Sequence, residues 1–203
     1  EHDHIEFFPT EAAYMESFRN LVDQVPGNGA IICHHDYEMN RRVCARPFSP
    51  LVTYGGEGAD FAIRSVSPLP AGYAFSVLHR GREWEFRTGV DGRFNVWNLT
   101  AGIALGVILE IPLPVIRQAV VSFHGVERRL CALGRNGEIE FLEDFAHHPT
   151  AIGSVLASLR ERDPAARLVA VFEPRSASMR RNRFQPALTE ALALADEIAL
   201  MEV

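Results

Sequence analysis

Apolar positions along the chain repeat with two different periods. After Pro9-Thr10, a helix N-cap signal, Tyr14, Phe18 and Leu21 recur at helical spacing until Pro26-Gly27 ends the pattern, which predicts an amphipathic helix. Ala30 to Cys33 reads as a short buried strand and Glu38 to Cys44 as a short helix, together an α/β crossover unit. From Leu51 to Arg87 the period shortens to two. Tyr73, Phe75 and Val77 alternate with smaller residues, Arg80-Gly81 offers a turn, and Trp84 and Phe86 alternate on the return, so the segment predicts a small antiparallel meander. Asn95 to Leu109 is apolar and free of proline, which predicts a helix packed on most of its circumference, and Pro114 opens another that runs to about Val121. Leu130 to Phe141 predicts a hairpin with a type I′ turn at Asn136-Gly137. A helix over Thr150 to Arg160, a strand over Leu168 to Phe172, a helix over Pro186 to Ala195 and a strand from Ile198 to Val203 complete a second βαβ pattern. The fold class is α/β, with a domain boundary expected near His124-Gly125, separating 1–124 from 125–203.

Composition narrows the function more than the fold. No run of eighteen apolar residues occurs, which argues against a membrane span. The net charge of −6 argues against a general nucleic-acid partner, since that needs a clustered basic surface. Cys33, Cys44 and Cys131 are odd in number and lack a CxxC pair, so a reducing, cytoplasmic setting is expected. The acidic first residues exclude a signal-peptide n-region, and the chain is expected to be a piece of something longer. All 20 basic residues are arginine. No phosphate-loop lysine can come from this polypeptide, and no G-x-x-x-x-G-K-[ST] is present.

Five segments carry candidate chemistry. Asp3-His4 with Glu6 offers carboxylate and imidazole for a divalent cation, or an ordinary surface cluster. In Gly92-Arg93-Phe94-Asn95-Val96-Trp97-Asn98, two amides at i and i+3 share a helix face and suit an adenine edge, or serve as a cap and a polar position. Arg128-Arg129, at the expected boundary, suits an anion or an ion pair between domains. Glu143-Asp144-Phe145-Ala146-His147-His148-Pro149-Thr150 runs from a strand end into a helix, where α/β sheets bind ligands. There an Asp can take ribose hydroxyls and His147 can meet charge on a phosphoryl group; the alternative has His148 capping the helix and Asp144 in a turn. Glu173-Pro174-Arg175-Ser176, with Arg180 beyond it, forms an arginine-rich loop suited to a substrate with several carboxylates, or simply a solvated basic loop.

In this order the five segments resemble the Mur ligases of peptidoglycan synthesis and recycling. The resemblance implies the end of a central ATPase domain with a small antiparallel sheet, then the start of a Rossmann-like C-terminal domain. It implies that His4 holds magnesium, that Asn95 and Asn98 read the adenine of ATP, and that Arg129 lies near ribose and phosphates. Asp144 would be the ribose-side carboxylate and His147 the residue near the reacting phosphoryl group. Arg175, Ser176 and Arg180 would face the amino substrate. Within the family, Asp144 to Thr150 and Glu173 to Ser176 look most like the branch that joins a murein tripeptide, L-alanyl-γ-D-glutamyl-meso-diaminopimelate, to UDP-N-acetylmuramate through an acyl phosphate. The branch that adds L-alanine, which usually shows Tyr-Gly before its two His, is the alternative. Phe94 and Cys131 depart from the family pattern, and nucleotide affinity is the property they touch. The missing phosphate loop implies that this stretch alone is inactive, and equally fits a non-catalytic nucleotide or muropeptide-binding module. A metal hydrolase would require Asp3-His4 and His147-His148 to converge.

Overall fold

The computed structural model describes residues 2–45, 47–174 and 184–201. It is a mixed α/β structure that divides into two compact units. The larger comprises Pro9–Val90 and Asn95–Phe123; the other comprises Glu1–Phe8, Asp91–Phe94 and His124–Val203.

The larger unit is built on a five-stranded sheet in the order β1-β2-β3-β4-β5. Its strands are β1 (Ile31–His34), β2 (Leu51–Gly55), β3 (Phe61–Pro68), β4 (Tyr73–His79) and β5 (Arg82–Thr88). The alternating segment was expected to be antiparallel throughout, but β2 pairs parallel with both β1 and β3, and only β3-β4-β5 form the meander. A parallel pair across so short a link is feasible because β2 and β3 overlap by two residues, Tyr54 with Phe61 and Gly55 with Ala62. The β4-β5 turn places Arg80 at φ 48 and Gly81 at φ 74, the two left-handed positions of a type I′ turn.

Four helices belong to this unit's chain segments: α1 (Glu11–Asp23), α2 (Glu38–Val43), α3 (Phe94–Ile108) and α4 (Leu113–Ser122). Thr10 caps α1, its hydroxyl accepting the Ala13 N–H at 3.1 Å. In α1 the buried side chain is Met15, whereas Phe18 and Leu21 of the expected apolar stripe are exposed. In α3, Val96, Thr100, Ile103 and Ala104 are buried, but Leu105 and Leu109 are exposed, so the helix packs on one face and not most of the way round. Val96, Ile103 and Ala104 join Phe61, Tyr73, Phe75, Val77 and Phe86 of the sheet in one core, closed by Ile116 and Val120 of α4.

In the second unit, β6 (Cys131–Asn136) and β7 (Ile139–Glu143) form the expected hairpin. The turn itself differs from expectation. Asn136 pairs with Ile139, so Gly137 and Glu138 are the loop, and only Gly137 has a positive φ, 60°, which is the type II′ pattern. After α5 (Pro149–Arg162), strand β8 (Val169–Phe172), helix α6 (Gln185–Leu192) and strand β9 (Glu197–Leu200) make a βαβ unit, with β8 and β9 parallel. Ile152 and Leu156 of α5 pack with Phe172, Ala191 and Leu192 in its core. Among the described residues no helix is long and apolar enough to cross a membrane.

Candidate functional site

Within the second unit, the site begins where β7 ends. The Asp144 carboxylate accepts the Leu130 N–H through Oδ2 at 2.9 Å and the Ala146 N–H through Oδ1 at 2.7 Å. The Phe145 N–H donates to the Arg128 carbonyl at 2.8 Å. These three bonds hold a strained turn, in which Arg128 and Leu130 take left-handed φ values of 60° and 50°. Such backbone costs about 1–2 kcal/mol per non-glycine residue and survives only where its surroundings fix it. The turn aims two guanidiniums differently. Arg128 is committed, its Nε donating to Glu143 at 2.9 Å and its guanidinium 4.9 Å from the Phe145 ring. Arg129 lies 3.9 Å from Asp144, 5.7 Å from the same ring and half-exposed, so it is the guanidinium better placed to meet an anion.

His147 follows on the same loop. Its Nδ1 lies 3.0 Å from the Phe145 carbonyl oxygen, an acceptor only, so Nδ1 carries the proton and Nε2 presents its lone pair when the ring is neutral. His148 occupies the cap position before Pro149 of α5, but its side chain makes no cap hydrogen bond. It turns instead toward the N-terminal segment, its Nε2 lying 2.8 Å from Asp3 Oδ2.

That segment is folded on itself. The Phe7 and Phe8 N–H groups both donate to the His4 carbonyl at 2.8 Å, and the buried His2 ring lies 2.7 Å from the Phe8 carbonyl. His4 takes φ 52 and its N–H donates to Asp3 Oδ1 at 2.7 Å. The other Asp3 oxygen faces imidazoles, with His4 Nε2 and His147 Nε2 each at 3.7 Å. Glu6 stands 3.7 Å from His4 Nδ1. A hard cation that keeps phosphate and water ligands asks the protein for only one or two groups, and His4 flanked by the Asp3 and Glu6 carboxylates fits that demand.

Asn95 and Asn98 belong to α3 in the larger unit. Asn98 Nδ2 donates to Asn95 Oδ1 at 3.0 Å, so the i, i+3 amides form one locked pair. They stand at the end of an apolar groove of 420 Å³ that runs between α3 and α4 past Leu99, Val115 and Phe123.

The structure therefore brings His4, Arg129, Asp144 and His147 into one neighbourhood, and pairs Asn95 with Asn98 in the other unit. Arg175, Ser176 and Arg180 lie outside the described residues. From sequence, Asp3 is a carboxylate beside His4 that could serve a divalent cation and His148 a helix cap, and only the metal-hydrolase alternative requires the two to meet. Each stood beside a selected residue, and the missing signal was their convergence across more than 140 positions of chain.

A mixed α/β chain with a strand-end loop rich in Arg, His and Asp, a helix-borne amide pair and a carboxylate-flanked imidazole is built like part of a nucleotide-using enzyme. Residues 1–106 match the Mur ligase middle domain and residues 128–202 the Mur ligase glutamate ligase domain, and the chain belongs to the Mur ligase family. The UDP-N-acetylmuramate–L-alanine ligase of Desulfosudis oleivorans is 31% identical over 203 residues, covering 99% of this chain and 44% of that protein. The crystal structure of the UDP-N-acetylmuramate–alanine ligase of Thermotoga maritima superposes with a TM-score of 0.77 at 25% identity, over 100% of this chain and 44% of that one. A murein peptide ligase from Psychrobacter arcticus gives a TM-score of 0.64 at 26% identity, over 92% and 40%. The chain spans less than half the length of each of these relatives.

Proposed function

We propose that this chain is part of an ATP-dependent ligase that joins L-alanine to UDP-N-acetylmuramate. The observation that carries the reading is the similarity to an L-alanine-adding relative along 99% of the chain. It shifts the preference away from the tripeptide-joining branch favoured by the sequence motifs. That branch remains the second reading, supported by Phe145-Ala146, where alanine-adding members usually have Tyr-Gly.

In this reaction the muramate carboxylate takes a phosphoryl group from ATP, and the amine of the amino substrate then displaces phosphate to form the amide. Bound ATP and magnesium supply the phosphoryl group and offset its charge. The residues of this chain position and neutralise. His4, with the Glu6 carboxylate beside it, is the proposed magnesium ligand. The Asn98–Asn95 bond leaves the Asn98 carbonyl oxygen and its second amide hydrogen for the acceptor–donor edge of adenine. Asp144 is the proposed ribose partner, using lone pairs beyond those given to Leu130 and Ala146. Arg129 and His147 meet negative charge on the phosphates and on the transferring phosphoryl group. Arg175, Ser176 and Arg180 are proposed to face the amino substrate. The convergence that a metal hydrolase requires does occur through Asp3, but the matches to two Mur ligase domains support the ligase reading instead.

The test is phosphate release by the full-length protein with ATP, magnesium and UDP-N-acetylmuramate. Release is expected to rise when L-alanine is added. In His147→Ala, kcat is expected to fall about 100-fold, the scale for losing one group that stabilises transition-state charge. Asn98→Ala is expected to raise KM for ATP more than it lowers kcat. Release that responds to neither L-alanine nor the tripeptide would contradict the reading and leave a binding module.

A further inference from the structure

We infer that Asp3, His147 and His148 form a site for a borderline transition-metal cation of the zinc class, distinct from the magnesium position proposed at His4. Each of the three residues offers one ligand atom, and these atoms all lie within 4.8 Å of one another. The carboxylate oxygen is 2.8 Å from one nitrogen and 3.7 Å from the other. Ligand atoms around a tetrahedral zinc, bound at 2.0–2.2 Å, sit about 3.3 Å apart. The two distances from the carboxylate bracket that value.

Three features favour a cation over a plain ion pair. The Phe145 carbonyl, 3.0 Å from His147 Nδ1, accepts from that nitrogen and leaves Nε2 facing the carboxylate. A carbonyl on the far ring nitrogen is also the usual support of a metal-bound histidine. The donor set, two imidazoles and one carboxylate, is that of open zinc sites, with a fourth position left for water. Magnesium, which prefers oxygen ligands, discriminates against it. Finally, the site is sheltered but reachable. The Asp3 and His148 side chains are 14% and 13% exposed, His147 is 37% exposed, and the Phe184 ring stands edge-on to His148 at 5.4 Å. A cation here would clip the N-terminal segment to the start of α5.

The inference stands apart from the ligase reading, because binding is measured without nucleotide or substrate. The full-length protein is titrated with Co2+ and followed by its visible d–d absorption, then challenged with Zn2+. The expected result is saturation at one equivalent without a thiolate charge-transfer band, reversal by Zn2+, and no response to Mg2+ at the same concentration. Asp3→Asn, His147→Ala and His148→Ala are each expected to weaken binding at least ~10-fold, while His124→Ala, a change at an exposed histidine, leaves it unchanged. Zn2+ is also expected to raise Tm in the parent chain but not in His147→Ala, whose more exposed position makes it the variant least apt to disturb folding. Absence of saturation, a thiolate band, or equal affinity in His147→Ala and the parent overturns the site.

Discussion

At the residue scale, Asp144, the proposed ribose partner, is structural at the same time. Its two oxygens hold the N–H groups of Leu130 and Ala146, and its side chain is nearly buried. Replacing it with alanine leaves two donors without their acceptor, at about 1–3 kcal/mol for each one that stays dry. Asp144→Ala is therefore expected to lower unfolding free energy by roughly 2–4 kcal/mol in denaturant titration. Asp144→Asn, which keeps an acceptor oxygen, should lose less. Cys33 offers a second check. Burial first, then the neighbouring Cys44, pushes its thiol up to about 12, so at neutral pH it carries no thiolate. Iodoacetamide is expected to label the more exposed Cys131 well before Cys33 in the folded chain, with the order vanishing in denaturant. Equal rates in the native protein would mean that β1 does not bury its cysteine.

Sequence showed residue identities well and residue partnerships poorly. Asn95 and Asn98 were legible as a pair because the helical period alone sets their spacing, and they bond to each other. Asp3 and His148 were not, because no local rule brings positions so distant into contact. The left-handed Arg128 and Leu130 were equally hidden, since neither residue type favours positive φ; the hydrogen bonds of Asp144 and Phe145 impose it.

At the scale of elements, periodicity located nearly every helix and strand but not which neighbour each strand pairs with. Leu51–Gly55 carries the same alternation whether its partner is parallel or antiparallel, so β2 was misplaced in the meander. Apolar content likewise overstated burial in α3, because an apolar residue is not obliged to be covered. Ile103 marks the covered face at 1% exposure, and Ile103→Ala is expected to cost roughly 2–5 kcal/mol in thermal or denaturant unfolding. The link into β9 predicts a pH effect. Asp196 accepts from Arg160 at 2.8 Å and from the Leu168 N–H at 2.7 Å, and these bonds, the Arg160 contact first, hold its carboxyl below the usual carboxylate value. A carboxyl lowered in the folded state stabilises it above the unfolded value and loses that contribution as pH falls toward the folded one. Unfolding followed from pH 7 downward should show Asp196→Asn less stable than the parent at neutral pH, with the gap closing below about pH 4. A gap constant with pH would contradict the assigned role.

For the molecule as a whole, the absence of lysine reaches furthest. A phosphate loop of the G-x-x-x-x-G-K-[ST] type needs a lysine that this chain does not contain, so the proposed adenine, metal and phosphoryl-facing groups stand in the 203 residues without that grip. Purified alone, the chain is expected to show no ATP hydrolysis above background in a coupled phosphate assay, and turnover would mean that another group does the lysine's work. The family was legible from motif order before any geometry, and the matches to the Mur ligase middle and glutamate ligase domains agree with it. The branch was harder to read. The motif around Asp144 points to tripeptide joining, whereas overall similarity favours L-alanine, and Arg175, Ser176 and Arg180, proposed to face the amino substrate, lie outside the described residues.

The account is tested most directly by competition. Full-length protein is given ATP, magnesium and UDP-N-acetylmuramate with equal concentrations of L-alanine and the tripeptide L-alanyl-γ-D-glutamyl-meso-diaminopimelate, and the product is weighed by mass spectrometry. UDP-N-acetylmuramate extended by one alanine as the dominant product is the predicted result; a dominant tripeptide adduct, or no adduct at all, would contradict it.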